Sequence, residues 1–220
     1  MLYRAVLFDF DGTLVPSLPL WLKSYQQAMH RFECMLSEDE VIRHCFYRDW
    51  DVIAAQFSID DPDLLRKHVE TSVRDLLGSS ELFPLALPLI RRCREMGMQT
   101  ALVTTATRYI LEHALPGLLL HDQFDSVICA DDVEQVKPHP EPVLRTLSAL
   151  GRAPAEAIMI GDSTADVRAG KAAGTATALF LPEDHARFYS FEALRATHPD
   201  HVFTDHKELP AILGMSPREI

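Results

Sequence analysis

The sequence predicts an α/β protein in which a central parallel sheet lies between layers of helices, joined to a small all-helical domain. Three observations indicate this fold. Short apolar segments alternate with helical patterns over most of the chain. From about residue 18 to residue 77 only helical patterns occur. Polar side chains recur directly after the apolar segments, where the carboxyl edge of a parallel sheet would place a ligand site.

The composition is that of an ordinary soluble globular protein. Of the 220 residues, 47% are apolar and 24% are charged. The formal net charge of −11 disfavours a nucleic-acid-binding protein, because polyanions are repelled over the surface as a whole. A small anionic substrate stays possible, since a local cation or a metal ion can reverse the sign of the field within a site.

The cysteines and the apolar runs indicate where the protein works. The four cysteines are scattered, which predicts reduced thiols in a cytosolic protein rather than disulfides or a zinc site. The unbroken apolar run before Asp9 has only four residues, too few for a signal-peptide core, and no apolar run approaches the ~18 residues of a membrane span. We therefore expect a cytoplasmic protein with neither a nucleic-acid nor a membrane partner. The sequence leaves the oligomeric state open.

The first predicted strand is the unbroken apolar run at residues 5–8, typical of a strand buried on both faces. Asp9 and Asp11 follow where this strand must end. Positions i and i+2 of a strand point to the same side, so both carboxylates would face one ligand. Gly12 allows the chain to leave the sheet by a sharp turn. Two acids could also simply end a strand, so the rest of the chain must decide.

Four helices are predicted next. The first has one apolar face, made by Trp21, Tyr25, Ala28, Met29 and Phe32. Ser37 and Glu40 have the spacing of a capping box, which starts a second helix that runs to Phe46. The third helix covers residues 52–57. The fourth begins at Asp61-Pro62 and ends at Gly78.

From residue 84 onward, helices and strands alternate. The predicted strands cover residues 99–103, 126–130, 157–160 and 176–181, with a short edge strand at 202–203. The predicted helices cover residues 85–96, a segment through Leu115 that precedes a Pro116-Gly117 loop, a segment that follows residues 137–142 and ends near Gly151, and residues 165–173. Strands separated by helices of this length imply right-handed crossovers and a parallel sheet.

The candidate functional residues all follow predicted strands. Asp9, Asp11, Thr104 and Asp162 come directly after strands, and Lys137 lies in the loop after another strand. Each has an ordinary explanation by itself, such as a helix cap or a solvated lysine. Together they would meet at one rim of the sheet, which predicts a single site.

These residues lie in four segments that resemble the four motifs of phosphatases of the haloacid dehalogenase superfamily. The segments are residues 9–13, 103–105, 137–138 and 161–166, and the resemblance extends from about residue 3 to residue 205. Within the superfamily, the chain is most similar to the phosphoglycolate phosphatase and β-phosphoglucomutase-like subfamily. The resemblance implies a Rossmann-like three-layer core domain formed by residues 1–15 and 80–220, with a helical cap domain at 16–79.

The resemblance also implies catalytic roles. Asp9 would attack phosphorus and form an aspartyl-phosphate. Asp11 would protonate the leaving alcohol and then activate the water that hydrolyses the intermediate. Thr104 would hydrogen-bond the phosphoryl oxygens, and Lys137 would neutralise them and the nucleophile.

The implied cofactor is Mg²⁺. It would be held by Asp9, by the Asp11 backbone carbonyl and by Asp162, while Asp166 would order the metal shell. Magnesium suits such a site because it binds through a few carboxylates, phosphate oxygens and retained waters.

Three further residues are expected to bind substrate, namely Thr13, Thr105 and Arg48. Arg48 belongs to the segment Phe46–Trp50 between two cap helices, where related enzymes carry a specificity loop. It would contact an acidic or second phosphate group, and Trp50 would line an apolar wall. The same segment could also be a plain loop between helices.

The expected function is a magnesium-dependent phosphomonoester hydrolase that acts on a small phosphorylated metabolite. Dehalogenases of the superfamily lack the second acid of the first motif, so Asp11 argues against that chemistry. Mutases with this cap carry a histidine twelve residues after the nucleophile, whereas this chain has Trp21. A phosphotransferase or phosphomutase, and a non-catalytic phosphate-ligand-binding protein on the same scaffold, are the alternatives.

Overall fold

The computed structural model describes residues 2–215, and within that range six strands form one parallel sheet. The strands are β1 (Ala5–Phe8), β2 (Gln99–Val103), β3 (Ser126–Ile128), β4 (Ala157–Gly161), β5 (Ala176–Phe180) and β6 (His201–Phe203). Their order across the sheet is β3-β2-β1-β4-β5-β6. The predicted parallel sheet is confirmed, and β1 lies between β2 and β4, with Phe8 opposite Leu102 and Ile160.

Helices occupy the remaining regular parts of the described chain. They are α1 (Leu18–Arg31), α2 (Glu38–His44), α3 (Trp50–Gln56), α4 (Pro62–Leu77), α5 (Ala86–Glu95), α6 (Arg108–Gly117), α7 (Glu141–Leu150), α8 (Thr164–Ala173), α9 (Phe191–Arg195) and α10 (Leu209–Ile212). None of these helices has both the length and the apolar character that crossing a membrane requires.

Two helix starts form through the capping residues that the sequence predicted. At α2 the Ser37 side chain accepts a hydrogen bond from the Glu40 N–H, and the Glu40 carboxylate accepts one from the Ser37 N–H in return. At α4 the Asp61 carboxylate accepts from the Leu64 N–H at 2.9 Å, with Pro62 in the first helical position.

Two local predictions were wrong. Pro116 and Gly117 lie in the last turn of α6, not in a loop after it, and the Leu118 N–H closes that turn on the Ala114 carbonyl at 3.1 Å. The strand predicted to reach residue 130 ends at Ile128, because a 3₁₀ turn follows at residues 130–132. The Asp132 carboxylate accepts a hydrogen bond from the Cys129 N–H at 2.9 Å and holds the chain in that turn.

The sheet is buried on both faces, which confirms the three-layer architecture. Val6 and Phe8 pack in one apolar cluster, and Ala5 and Leu7 pack in a second cluster on the opposite face. All four side chains have no exposed surface. Successive residues of β1 face opposite layers, and both layers are apolar. The sequence of the strand is therefore apolar at every position.

Helices α1–α4 have an apolar core of their own. Its fully buried members include Met29, Val41, Ile53, Leu65 and Val69. The end of α4 leaves this cluster, since Val73 and Leu77 pack against the main core. This arrangement supports the proposal that residues 16–79 form a cap domain on a core made of residues 1–15 and 80–220.

A buried histidine beside β6 makes stability depend on pH. His206 is 3% exposed and packs against Phe180 and Phe83, with ring centroids 4.6 and 5.7 Å away. Its Nε2 atom has no hydrogen-bond partner among the described residues. Burial lowers the pKa of His206 to about 4, well below the ordinary value, so the folded protein holds the ring neutral.

We expect the contribution of His206 to be complete above pH ~6.5 and to be lost as the pH falls towards 4, because the folded pKa lies below the unfolded one. The shift corresponds to roughly 3 kcal/mol in the free energy of unfolding. Urea unfolding at pH 7.5 and 4.5 should show a smaller acid loss in His206→Phe than in the wild type. The matched exposed-site variant His30→Phe should keep the full loss, and an equal acid loss in both variants would contradict the assignment.

Candidate active site

The chain leaves β1 through a turn that brings two distant segments into contact. The Asp9 N–H donates to the Ile160 carbonyl at 2.8 Å, which fixes the first residue of the turn beside β4. Gly12 has a positive φ of 69°, and a Cβ atom there would lie 2.2 Å from Asp162 Oδ2. Only glycine satisfies both the backbone conformation and this close approach.

Three buried carboxylates meet at this turn. One carboxylate oxygen each from Asp9, Asp162 and Asp166 lies within 4.8 Å of the other two. The Asp166 carboxylate also accepts from the Ser163 N–H at 3.0 Å and the Ser163 hydroxyl at 2.6 Å, which completes a capping box at α8. Asp166 therefore caps α8 and also faces the other two acids.

Lys137 enters this cluster from the loop after β3. Its Nζ atom lies 2.8 Å from Asp9 Oδ1 and 2.6 Å from Asp166 Oδ1, and it donates a third hydrogen bond to the Val103 carbonyl at 2.7 Å. The residue is 5% exposed. A lysine that directs all three donors inward is not the solvated surface charge that its sequence position alone would allow.

The charges of the cluster displace the pKa values of its members. Burial, reinforced by Asp166, raises the pKa of Asp9 to about 7, although Lys137 opposes the shift. Burial, reinforced by Asp166 and Asp9, raises the pKa of Asp162 well above its ordinary value. Burial would lower the pKa of Lys137, but Asp166 and Asp9 outweigh it and raise that pKa. One lysine is therefore too little positive charge for three carboxylates.

The donor set fits a hard divalent cation. Three buried carboxylates with one cationic partner keep an excess of two negative charges when all are ionised. Such oxygen donors are the ligands that Mg²⁺ and Ca²⁺ prefer. A divalent cation at Asp9, Asp162 and Asp166 would balance this excess negative charge.

Asp11 points away from the three-carboxylate cluster and towards α1. Its Oδ1 atom accepts a hydrogen bond from the Trp21 indole N–H at 2.7 Å. Burial raises the pKa of Asp11, while hydrogen bonds from Ser17 and Trp21 oppose the shift. Asp9 and Asp11 thus have different partners, since Asp9 contacts Lys137 and Asp11 contacts Trp21.

The threonines of the predicted site lie in different environments. Thr104 is 3% exposed, and its hydroxyl accepts from the Ala106 N–H at 3.0 Å. Thr105 is exposed and lines the cavity over the site, which Thr104 does not reach. Thr13 is fully buried and directs its hydroxyl to Asp162 Oδ1 at 3.4 Å. In these positions Thr105 faces the ligand space and Thr13 faces a carboxylate.

A cavity of about 680 Å³ lies between the helices α1–α3 and the rim of the sheet. Asp9, Asp11, Lys137 and Asp162 line its base, and Arg48 lines it from the loop between α2 and α3. Arg48 is exposed and has no hydrogen-bond or ion-pair partner among residues 2–215. The volume lies within the range of about 300–1,000 Å³ typical of small-molecule sites.

Tyr189 belongs to the site although no sequence motif indicated it. Its hydroxyl donates to Asp162 Oδ2 at 2.7 Å, and His185 Nδ1 lies 3.5 Å from the same oxygen. Burial raises the pKa of Tyr189, so the hydroxyl keeps the proton that it donates. The Tyr189 hydroxyl also pairs with that of Tyr47. His185 and Tyr189 both belong to the segment after β5, which contains none of the four motif segments.

Comparison with known proteins yields one family and a consistent set of relatives. A family model for haloacid dehalogenase-like hydrolases matches residues 6–180. The chain is 32% identical over 218 residues to pyrophosphatase PpaX of Bacillus pumilus, covering 96% of both chains. It is 31% identical to pyrophosphatase PpaX of Bacillus cereus, covering 97% of this chain and 98% of that protein.

Solved structures share the same fold. A predicted phosphoglycolate phosphatase from Haemophilus somnus superposes with a TM-score of 0.82 at 22% identity, covering 97% of this chain and 99% of that one. A haloacid dehalogenase family hydrolase from Deinococcus radiodurans, solved with bound phosphate and sodium, superposes with a TM-score of 0.78 at 26% identity. That match covers 97% of this chain and 96% of the other.

Proposed function

The chain belongs to the haloacid dehalogenase-like hydrolase family as one of its phosphatases, and on that premise we propose that it is a magnesium-dependent phosphomonoesterase that works through an aspartyl-phosphate. The observation that carries the proposal is the meeting of Asp9, Lys137, Asp162 and Asp166 around one point beside the cavity. The proposed substrate is a small phosphorylated metabolite.

In the first step a carboxylate oxygen of Asp9 attacks phosphorus, and the bond from phosphorus to the alcohol oxygen breaks. Lys137 sits 2.8 Å from Asp9, so it can pair with both the nucleophile and the phosphoryl oxygens. Asp11 gives its proton to the departing alkoxide. The raised pKa of Asp11 favours this role, because a general acid must hold its proton near neutral pH.

In the second step water attacks phosphorus and displaces the Asp9 carboxylate, giving inorganic phosphate. Asp11 is now the base that takes the proton from this water. General acid–base catalysis contributes about 10²–10⁴-fold, whereas phosphate-monoester hydrolysis needs accelerations of up to ~10²¹. Most of the rate enhancement must therefore come from positioning and from charge stabilisation around the phosphoryl group.

We propose Mg²⁺ as the ion held by Asp9, Asp162 and Asp166, with the Asp11 backbone carbonyl as a further ligand. When bound, it neutralises the phosphoryl oxygens and screens them from the carboxylates. Two unit charges 4 Å apart repel by ~4 kcal/mol at an effective dielectric constant of 20. A phosphate dianion among these carboxylates therefore needs both Lys137 and the cation.

Two observations support hydrolysis over the alternatives. The position at which related mutases carry a histidine is Trp21, whose indole N–H is a donor only and is bonded to Asp11. An indole cannot accept a proton as a histidine can. Lys137 also contacts both Asp9 and Asp166 within the buried cluster. A catalytic site needs all of these groups, whereas a binding protein would not need them.

Inorganic pyrophosphate is a second candidate substrate, and the names of the curated relatives favour it. The size of the cavity, about 680 Å³, favours an organic ester instead, since pyrophosphate would leave much of this space to water.

The direct test is hydrolysis of p-nitrophenyl phosphate, with pyrophosphate assayed in parallel, with and without Mg²⁺. We expect p-nitrophenyl phosphate to be hydrolysed with Mg²⁺, and removal of the ion by EDTA to abolish turnover reversibly. Folded protein without turnover of either substrate would favour a binding protein. Turnover of pyrophosphate alone would favour the second candidate.

Tyr189→Phe is expected to weaken the affinity for divalent cations by roughly tenfold, the value of about one charge-assisted hydrogen bond. The reason is that the variant loses the 2.7 Å bond that orients Asp162. Mg²⁺-dependent thermal stabilisation and titration calorimetry measure this without substrate. Tyr109→Phe, which changes an exposed tyrosine that does not line the cavity, is the matched control. Wild-type metal affinity in Tyr189→Phe would show that the bond does not position the carboxylate.

A further inference from the structure

A continuous row of six aromatic rings forms one wall of the cavity above the acids. It is made by Trp21, Tyr25, Phe46, Tyr47, Trp50 and Tyr189. Tyr25 lies at its centre, with ring centroids 6.2 Å from Trp21, 5.7 Å from Trp50 and 5.7 Å from Phe46. Tyr47 continues the row and stacks on Tyr189 at 5.4 Å. We call these six side chains the aromatic wall.

The aromatic wall is more than the core of the helices α1–α4. Tyr25 and Phe46 are each 7% exposed and do serve as core residues behind the wall. The rings in front of them keep part of their surface open to the cavity, since Tyr47 is 61% exposed and Trp21 and Trp50 are half-buried. Uncovered aromatic faces beside a catalytic cluster are surfaces on which a planar ligand can stack.

Two cationic side chains line the same cavity without a partner of their own. Arg48 from the loop between α2 and α3 and Arg168 from α8 are both exposed. Neither has a hydrogen-bond or ion-pair partner among the described residues. In a chain with a formal net charge of −11, two unpaired arginines at one cleft mark a local site for anionic groups.

We propose that the substrate is a phosphomonoester whose alcohol part carries a planar aromatic or heteroaromatic ring and a second anionic group. The proposal rests on the proposed phosphatase function and specifies its substrate class. The phosphate would meet Asp9 and Lys137 at the base of the cavity, the ring would stack on Trp50 and Tyr47, and the second anion would pair with Arg168 or Arg48.

Three synthetic esters test this without depending on leaving-group chemistry. 2-Phenylethyl phosphate and 2-cyclohexylethyl phosphate release primary alcohols of closely similar acidity and bulk. Only the phenyl ester carries a planar ring. 2-(4-Carboxyphenyl)ethyl phosphate adds the second anion. We expect kcat/KM for the phenyl ester to exceed that for the cyclohexyl ester by roughly three- to tenfold. The carboxylate should add roughly a further two- to fivefold.

Variants assign these preferences to particular side chains. Trp50→Leu should move the phenyl-to-cyclohexyl ratio towards one, and Trp50→Phe should keep the wild-type ratio because a ring remains. Replacing both Arg48 and Arg168 by glutamine should remove most of the gain from the carboxylate, whereas Arg195→Gln, which does not line the cavity, should not. Each of these readouts is a ratio between substrates, so a general loss of activity does not imitate it.

Different results would contradict the aromatic substrate class and the proposed phosphatase function. Equal kcat/KM for the phenyl and cyclohexyl esters, in protein that hydrolyses p-nitrophenyl phosphate, would overturn the aromatic substrate class alone. Failure to hydrolyse the phenyl ester in the same protein would also overturn it. No turnover of any of the monoesters would overturn the proposed function, and the substrate class would fall with it.

Discussion

Replacing Asp9 by asparagine is expected to reduce turnover of phosphate esters by a factor on the order of 10⁴ or more, the scale seen when a catalytic nucleophile is removed. The amide keeps the shape of the side chain but lacks the charged oxygen that would attack phosphorus. Steady-state kinetics with p-nitrophenyl phosphate and Mg²⁺ measure the effect.

The fold should survive this substitution. Burial and the neighbouring Asp166 raise the pKa of Asp9 to about 7, which means that the ionised carboxylate is held there at a cost in stability. A neutral amide removes that cost, and Lys137 keeps its 2.6 Å contact with Asp166. We therefore expect no fall in Tm without metal. Asp60→Asn, at an exposed position, is the matched control and should leave activity unchanged. Substantial turnover by Asp9→Asn would show that another group attacks phosphorus.

Replacing Lys137 by methionine is expected to abolish turnover and also to destabilise the protein by about 3–5 kcal/mol. Lys137 is 5% exposed and pairs with Asp9 and Asp166 at 2.8 and 2.6 Å. Methionine fills a similar volume but leaves the buried carboxylates without their cation. Urea unfolding in the presence of EDTA measures the loss, since a bound divalent cation would offset part of it.

An exposed lysine provides the control for this prediction. Lys67→Met makes the same chemical change on the surface of α4 and should alter stability by less than about 0.5 kcal/mol. If Lys137→Met were as stable as Lys67→Met in EDTA, the buried ion pairs would not be the interactions that hold the cluster together.

The sheet and the acidic site were predictable because both depend on short patterns of neighbouring residues. The apolar run at 5–8 ends in Asp9, and parallel strands place such ends at one edge whatever lies between them. Gly12 and the second acid, Asp11, are also local features. Distance along the chain did not matter, because Lys137 and Asp162 belong to loops at the same edge.

The remaining parts of the site depend on how separate elements pack, which no local pattern records. The hydrogen bond from Trp21 to Asp11 requires the placement of α1 over the first turn. Tyr189 reaches Asp162 from a segment that carries no motif. Thr105 lines the cavity, while the Thr104 hydroxyl accepts a hydrogen bond from the Ala106 N–H. The fold of the backbone decides each of these contacts.

The local charge of the cleft differs from the charge of the whole molecule. The formal net charge of −11 disfavours anionic partners over the surface, yet Lys137, Arg48 and Arg168 all face one cavity. Under the proposed substrate class, selection among phosphorylated compounds would depend on the aromatic wall, of which every ring except Tyr189 comes from the helical segment at residues 16–79. The acids below would perform the same chemistry on every ester that the cavity admits.

The most direct test of the account is to trap the covalent intermediate. Protein that is turning over a phosphate ester in the presence of Mg²⁺ is treated with borohydride, which reduces an acyl phosphate to an alcohol, and is then digested for mass spectrometry. If Asp9 forms the aspartyl-phosphate, borohydride will reduce the side chain of residue 9. This reduction will require substrate and will be absent in Asp9→Asn. An unmodified residue 9 in protein that was hydrolysing substrate, with reduction at another carboxylate, would contradict this prediction.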